Sequence, residues 1–162
     1  MVACSALCSS QQGVSVMSKH ETPMTRRYWQ RVRGTLLEEY LAVPPRRPDV
    51  GRRLIDAVII EDGEHRIASP GEAVSFSFDG RDIVIVQTKA LRLGMYLLGQ
   101  AFFSRELIKD RFTPRSVRTV ALCAIDDAVL RPIAERFGIE VVVDDLAATP
   151  GLDEVLLSAD ET

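Results

Sequence analysis

The sequence predicts an α/β fold, a mixed central β-sheet flanked by helices. Three observations lead there. Arg53 to Ile60 and Asp82 to Lys89 are apolar runs of strand length, which read as strands covered on both faces in the middle of a sheet. Before and after them, apolar residues recur at three- and four-residue steps, as in helices packed on such a sheet. The resulting order of helix, strands, helix, strand, helix, strand is that of an α/β protein with both parallel and antiparallel neighbours.

At 162 residues the chain is long enough for one domain with a single core, and its composition is that of an ordinary soluble protein. Residues 1–22 are small and polar without periodicity and read as a disordered leader. The domain is expected over 23–145, and 146–162 read as an acidic tail with a short helix near Asp153 to Leu157. Thr25 to Ala42 is expected to be helical, with Trp29, Val32, Leu36, Tyr40 and Val43 forming one apolar face. On that helix Glu39 falls about 60° from Leu36, on the rim of the buried face, and Glu38 points to solvent. Pro44, Pro45 and Pro48 end it and force an extended connection carrying Arg46 and Arg47.

The first central strand ends at Ile60, where Glu61-Asp-Gly marks a turn. His65 to Ala68 and Ala73 to Phe78 read as a short hairpin around Ser69-Pro-Gly71, and Asp79-Gly80 as the turn into the second central strand. Leu91 to Lys109 predicts a helix that is apolar almost all round and largely buried, with Gly99 implying close packing. One stripe of it differs: Arg92, Tyr96, Gln100 and Ser104 recur at steps of four. They form either a satisfied polar network in the core or the wall of a polar cleft. A strand over Ser116 to Ala124, a helix over Val129 to Phe137 and a strand over Ile139 to Val143 complete the domain. Pro132 marks the first turn of that helix and Gly138 its end.

Chemistry concentrates on the two central strands. Asp56 stands alone in an apolar run, and a buried carboxylate must be paired, protonated or bound to a metal. On the next strand, period-two alternation places Gln87 and Lys89 on one face. Glu39 is the further acid available to a cleft between the first helix and the sheet. Charge is also uneven. Although the net charge is −3, eight arginines lie between Arg26 and Arg53, and from Asp144 onward there are six acids and no basic residue. Arg46, Arg47, Arg52 and Arg53, just ahead of Asp56, suit a polyanionic partner, whereas the helical arginines read equally well as a solvated face.

An acid on the first helix, Asp56 on a core strand and Gln87-x-Lys89 on the next resemble the PD-(D/E)xK nuclease superfamily, whose restriction-endonuclease-like core has a similar order of elements. The resemblance covers roughly 25–143. Ile55 precedes Asp56 where the family often has Pro, and Gln87 stands where it usually has Glu; a Gln-x-Lys form occurs in some restriction and repair branches. It implies a magnesium- or manganese-dependent endonuclease acting on DNA. Asp56 is then the primary metal ligand, with Gln87 as a neutral ligand and Glu39 as a second acid. Lys89 would position the attacking water or stabilise the transition state. A catalytically inactive nucleic-acid-binding or assembly module on the same fold is the alternative, and the neutral Gln87 favours it.

Other classes find little support. Two histidines, His20 and His65, leave no recognisable catalytic triad or His-rich metal site. No Gly-rich phosphate loop supports a small ligand-binding α/β domain. Three cysteines, two of them in the leader, argue for a reducing, cytoplasmic setting rather than a disulfide framework. No stretch reaches membrane-spanning length and no signal peptide is evident. Cutting both strands of DNA with so small a chain would favour a homodimer.

Overall fold

The computed structural model describes residues 20–147. The chain runs α1 (Glu21–Val32), β1 (Thr35–Val43), β2 (Arg53–Ile60), β3 (Arg66–Ile67), α2 (Pro70–Ala73), β4 (Asp82–Arg92), α3 (Met95–Arg111), β5 (Ser116–Ile125), α4 (Leu130–Arg136) and β6 (Glu140–Val143). A 3-10 turn over Asp145–Ala147 follows. The expectations for most of the leader, with Cys4 and Cys8, and for a tail helix near Asp153 lie outside the described residues. Glu21 and Thr22, expected in the leader, begin α1.

Six strands form one mixed sheet in the order β3-β1-β2-β4-β5-β6. β1, β2 and β4 pair antiparallel, while β5 joins β4 and β6 joins β5 in parallel. Parallel neighbours need a crossover, and α3 and α4 supply the two. Alternation along the strands divides the core. Ala57, Ile59, Val84, Val86, Val120 and Leu122 pack with Met24, Tyr28 and Trp29 of α1. On the other face, Val58, Ile60, Ile83 and Ile85 gather around Phe78 and Ile108, and Ala121 and Cys123 pack with Leu97 and Ala101 of α3. Helices therefore cover both faces, as expected. Among the described residues, no helix is long and apolar enough to cross a membrane.

The first helix ends ten residues before the expected Ala42. Gly34, at φ +80°, turns the chain out of it, and Trp29 Nε1 donates to the Gly34 carbonyl across 2.8 Å. Leu36, Tyr40 and Val43 thus lie on a strand, and so does Glu39. The expected hairpin is also absent. Ser69-Pro-Gly71 starts α2 instead, with Ser69 Oγ accepting from the Glu72 N–H, and β3 pairs in parallel with β1. β4 continues to Arg92, so α3 starts later than expected and buries only the stripe Leu97, Ala101, Ser104 and Ile108. Met95, Tyr96 and Phe103 on its other side are exposed.

Candidate active site

The sheet opens between its two central strands. Main-chain pairing of β2 with β4 runs from Ile60↔Ile83 to Ala57↔Val86 and stops. The next donor, the Thr88 N–H, goes to Asp56 Oδ2 at 2.8 Å. The outer pairings go further: β1 stays with β2 to Val43↔Arg53, and β4 stays with β5 past Lys89↔Cys123. A carboxylate therefore fills the apex of a fork in the sheet. The strand phase slips at the same place. Ile55 packs in the cluster of Val58 and Ile60, although alternation would place it with Ala57 and Ile59. On β1, Glu38↔Ala57 and Tyr40↔Ile55 leave Glu39 opposite Asp56, and Glu39 has φ +48°. Left-handed backbone is rare outside glycine, and such strain clusters at functional sites.

Asp56 is an unusual acid. Burial raises its carboxyl from 3.8 to about 6; the Thr88 N–H and the Lys89 ammonium oppose that rise, while Glu21 and Glu39 add to it. Lys89 Nζ donates to Glu21 Oε1 at 3.2 Å. Glu21 is placed by the first turn of α1, where Thr25 Oγ1 lies 2.8 Å from Thr88 Oγ1 in a buried contact. The acid that the first helix brings to this site is therefore Glu21, which sequence pattern alone places in the leader. Glu39 approaches from β1 and is exposed. Glu38 is held by Arg26 in a two-pronged pair at 2.8 and 2.9 Å.

Gln87 and Lys89 engage opposite faces of the sheet. While Lys89 reaches Glu21 on α1, Gln87 Nε2 donates to Ser104 Oγ on α3 at 2.8 Å, and its Oε1 is buried without a partner among the described residues. Gln87 lines a cavity of about 590 Å³ between the fork and α3, together with Arg53, Tyr96, Gly99, Gln100 and Phe103. Of the α3 stripe, Tyr96, Gln100 and Ser104 line this cavity. Arg92 is elsewhere, donating to the Asp126 carbonyl at 2.8 Å. The packing expected at Gly99 is absent too: among the described residues, a methyl group there would meet nothing within 4 Å.

The four arginines divide between two places. Arg52 and Arg53 stand at the open end of β2, both exposed, and Arg53 Nη1 donates to the Arg52 carbonyl. Arg46 and Arg47 line a second groove with Arg111 from the end of α3, a residue that sequence reasoning passed over. Its place two residues past the expected helix end at Lys109 was the only signal, and a cation there by itself suggests a capping charge.

Among the described residues, no group of three His, Cys, Asp or Glu side chains is gathered to hold a metal ion. A dedicated all-protein cage therefore does not fit. Magnesium bound by one or two carboxylates plus phosphate oxygens and water needs less. Asp56 has a half-buried carboxylate for it, and Gln87 Oε1, on the neighbouring strand β4, is a buried acceptor without a partner among the described residues. Comparison of the chain with protein-family models, with curated proteins and with solved structures finds no match.

Proposed function

We propose that this chain is a magnesium-dependent DNA endonuclease with a restriction-endonuclease-like core. The observation that carries the reading is the fork: Asp56 at its apex, beside the Lys89–Glu21 pair. The order α1, antiparallel β1-β2-β4, α3, parallel β5 also supports it, because it resembles the core order of that superfamily. Asp56 and Gln87 Oε1 would hold the ion, with Glu21 or Glu39 supplying a second charge through water. When bound, magnesium would stabilise charge on the phosphoryl oxygens and lower the pKa of a bound water. Lys89 would present its ammonium to the attacking water or to the pentavalent phosphorus, oriented by Glu21. Arg52 and Arg53 would hold the strand by its phosphates, which positions nucleic acid without reading sequence.

The second reading, a nucleic-acid-binding module without catalysis, is favoured by the neutral Gln87 tied to Ser104. Plasmid nicking separates the two. With Mg²⁺ or Mn²⁺ the wild type should nick supercoiled DNA, and Asp56→Ala and Lys89→Ala should each reduce the rate about a hundredfold or more. Full nicking by either variant would overturn the site. Duplex binding without nicking in either metal would leave the second reading.

A further inference from the structure

The cavity between β4 and α3 has two features that the cleavage chemistry does not use. Gln100 Oε1, like Gln87 Oε1, is buried and has no partner among the described residues, while its Nε2 donates to Tyr96 Oη at 3.4 Å. These two acceptors, one on β4 and one on α3, call for an occupant with N–H donors, since a buried acceptor left unmade is costly, and the amide oxygen of Gln87 has a second lone pair besides the one an ion would take. The second feature is Gly99. Glycine inside a helix costs stability relative to alanine. No neighbour among the described residues requires it here, because an added Cβ would have open space. A glycine on a cavity wall lets an occupant lie directly against the helix backbone.

The rim adds two further chemistries. Tyr96 and Phe103 are 73% and 66% exposed at the mouth, so their ring faces are open to a partner. Arg53 stands at the same rim, with no carboxylate paired to it among the described residues. Acceptors inside, aromatic rings at the mouth and a cation at the edge match the parts of a nucleotide: base edge, base face and phosphate.

We infer that this cavity binds one unstacked nucleotide of a nucleic acid strand, its base inward against Gly99 and its phosphate towards Arg53. The inference rests on nucleic acid being the partner and goes beyond cleavage: the strand would have to be single or locally opened at the fork. Bases with an exocyclic amine fit better than thymine, and guanine best, because its N1–H and N2–H donors lie side by side on one edge.

Titration of the full chain in EDTA, followed by NMR, tests this with dGMP, dTMP, a five-nucleotide single strand containing one central guanine, and a blunt duplex. dGMP should shift resonances of Gly99, Gln100 and Ser104, and dTMP should bind at least severalfold more weakly. The single strand should bind more tightly than dGMP and shift the same resonances, whereas the duplex should not. Gly99→Leu and Gln100→Leu should each weaken dGMP and single-strand binding about tenfold or more. Gly99→Ala should melt higher than the wild type, which separates blocking of the cavity from unfolding. Shifts confined to the Arg46–Arg47 groove, equal affinity for dGMP and dTMP, or undiminished binding by Gly99→Leu would overturn the inference. So would a concentration-dependent dimer abolished by Phe103→Ser, which would put a second copy on this face. Asp56→Ala should still bind dGMP. If the cavity fails these tests while the wild type nicks DNA and Asp56→Ala does not, the endonuclease reading stands without it.

Discussion

Asp56 is costly where it stands. A folded carboxyl raised from 3.8 to about 6 corresponds to about 3 kcal/mol at 1.36 kcal/mol per pH unit. Because the folded value is the higher one, stability is complete below the ordinary value and is lost as pH rises through about 6. Asp56→Asn keeps an oxygen for the Thr88 N–H and removes the charge. In EDTA it should therefore be more stable than the wild type at pH 7.5, by up to about 3 kcal/mol, with the gain vanishing below about pH 4. Urea unfolding at the two pH values measures this, and an equal gain at both would show that the buried charge is not the cause. A cation beside the carboxylate offsets the same cost, so Mg²⁺ should raise the melting temperature of the wild type but not of this variant. Gln87→Glu tests the neighbouring position. Its carboxylate can accept from the Ser104 hydroxyl, but it adds charge beside Asp56. The variant should melt lower than the wild type in EDTA, gain more from Mg²⁺ and keep or increase nicking. Weaker metal binding with the fold intact would mean that Gln87 does not face the ion.

At the scale of elements, β1 shows what the sequence conceals. Leu36, Tyr40 and Val43 continue the three- and four-residue spacing of Trp29 and Val32, so a single helix accounts for all five. In the strand, the left-handed Glu39 breaks the alternation, with Leu36 on the α1 face and Leu37 and Tyr40 on the other, and a register shift between Leu41 and Val43 puts Val43 on the side of Tyr40. A bulged strand of this kind imitates helical spacing. The break was nevertheless written in Arg33-Gly34, since glycine just past a helix is a stop signal. Ser69-Pro70 was legible in the same way, as a cap followed by proline at the first helical position. β2, β4, β5, α4 and β6 could be read because their apolar runs and punctuation agree. Asp56, Gln87 and Lys89 could be read because they interrupt such runs. Glu21 could not, since its place depends on where α1 begins. Two glycines test the turn argument. At Gly34 (φ +80°) a Cβ would lie 2.2 Å from the Ile60 carbonyl oxygen, whereas at Gly80 (φ +67°) it would meet nothing within 4 Å among the described residues. Gly34→Ala should therefore cost at least about 2 kcal/mol and Gly80→Ala about 1 kcal/mol in urea unfolding. Equal costs would show that the dihedral alone matters and that the close packing of Gly34 on β2 does not.

Across the whole molecule, the arginines at the two ends of the sheet differ in company. Where β4 and β5 begin, Arg81 pairs with Asp62, Arg115 with Asp82, and Arg118 with both Glu61 and Glu140. At the fork end, Arg46 and Arg53 have no carboxylate partner among the described residues, and Arg47 has only the exposed Asp49. An arginine already paired releases little on meeting a phosphate, because it must give up its carboxylate to do so. An unpaired one adds its full share to counterion release. Duplex binding measured by fluorescence anisotropy in EDTA should thus weaken steeply with salt. Replacing Arg46, Arg47, Arg52 and Arg53 together by Gln should flatten the log–log slope by about 0.9 for each phosphate no longer neutralised. Replacing Arg81, Arg115 and Arg118 by Gln should lower stability, since their carboxylate partners are left unpaired, and leave the slope unchanged. Equal flattening by both sets would spread the nucleic acid over both ends of the sheet. Flattening by the second set alone would place it away from Asp56, and the fork could not then be where a phosphodiester is cut.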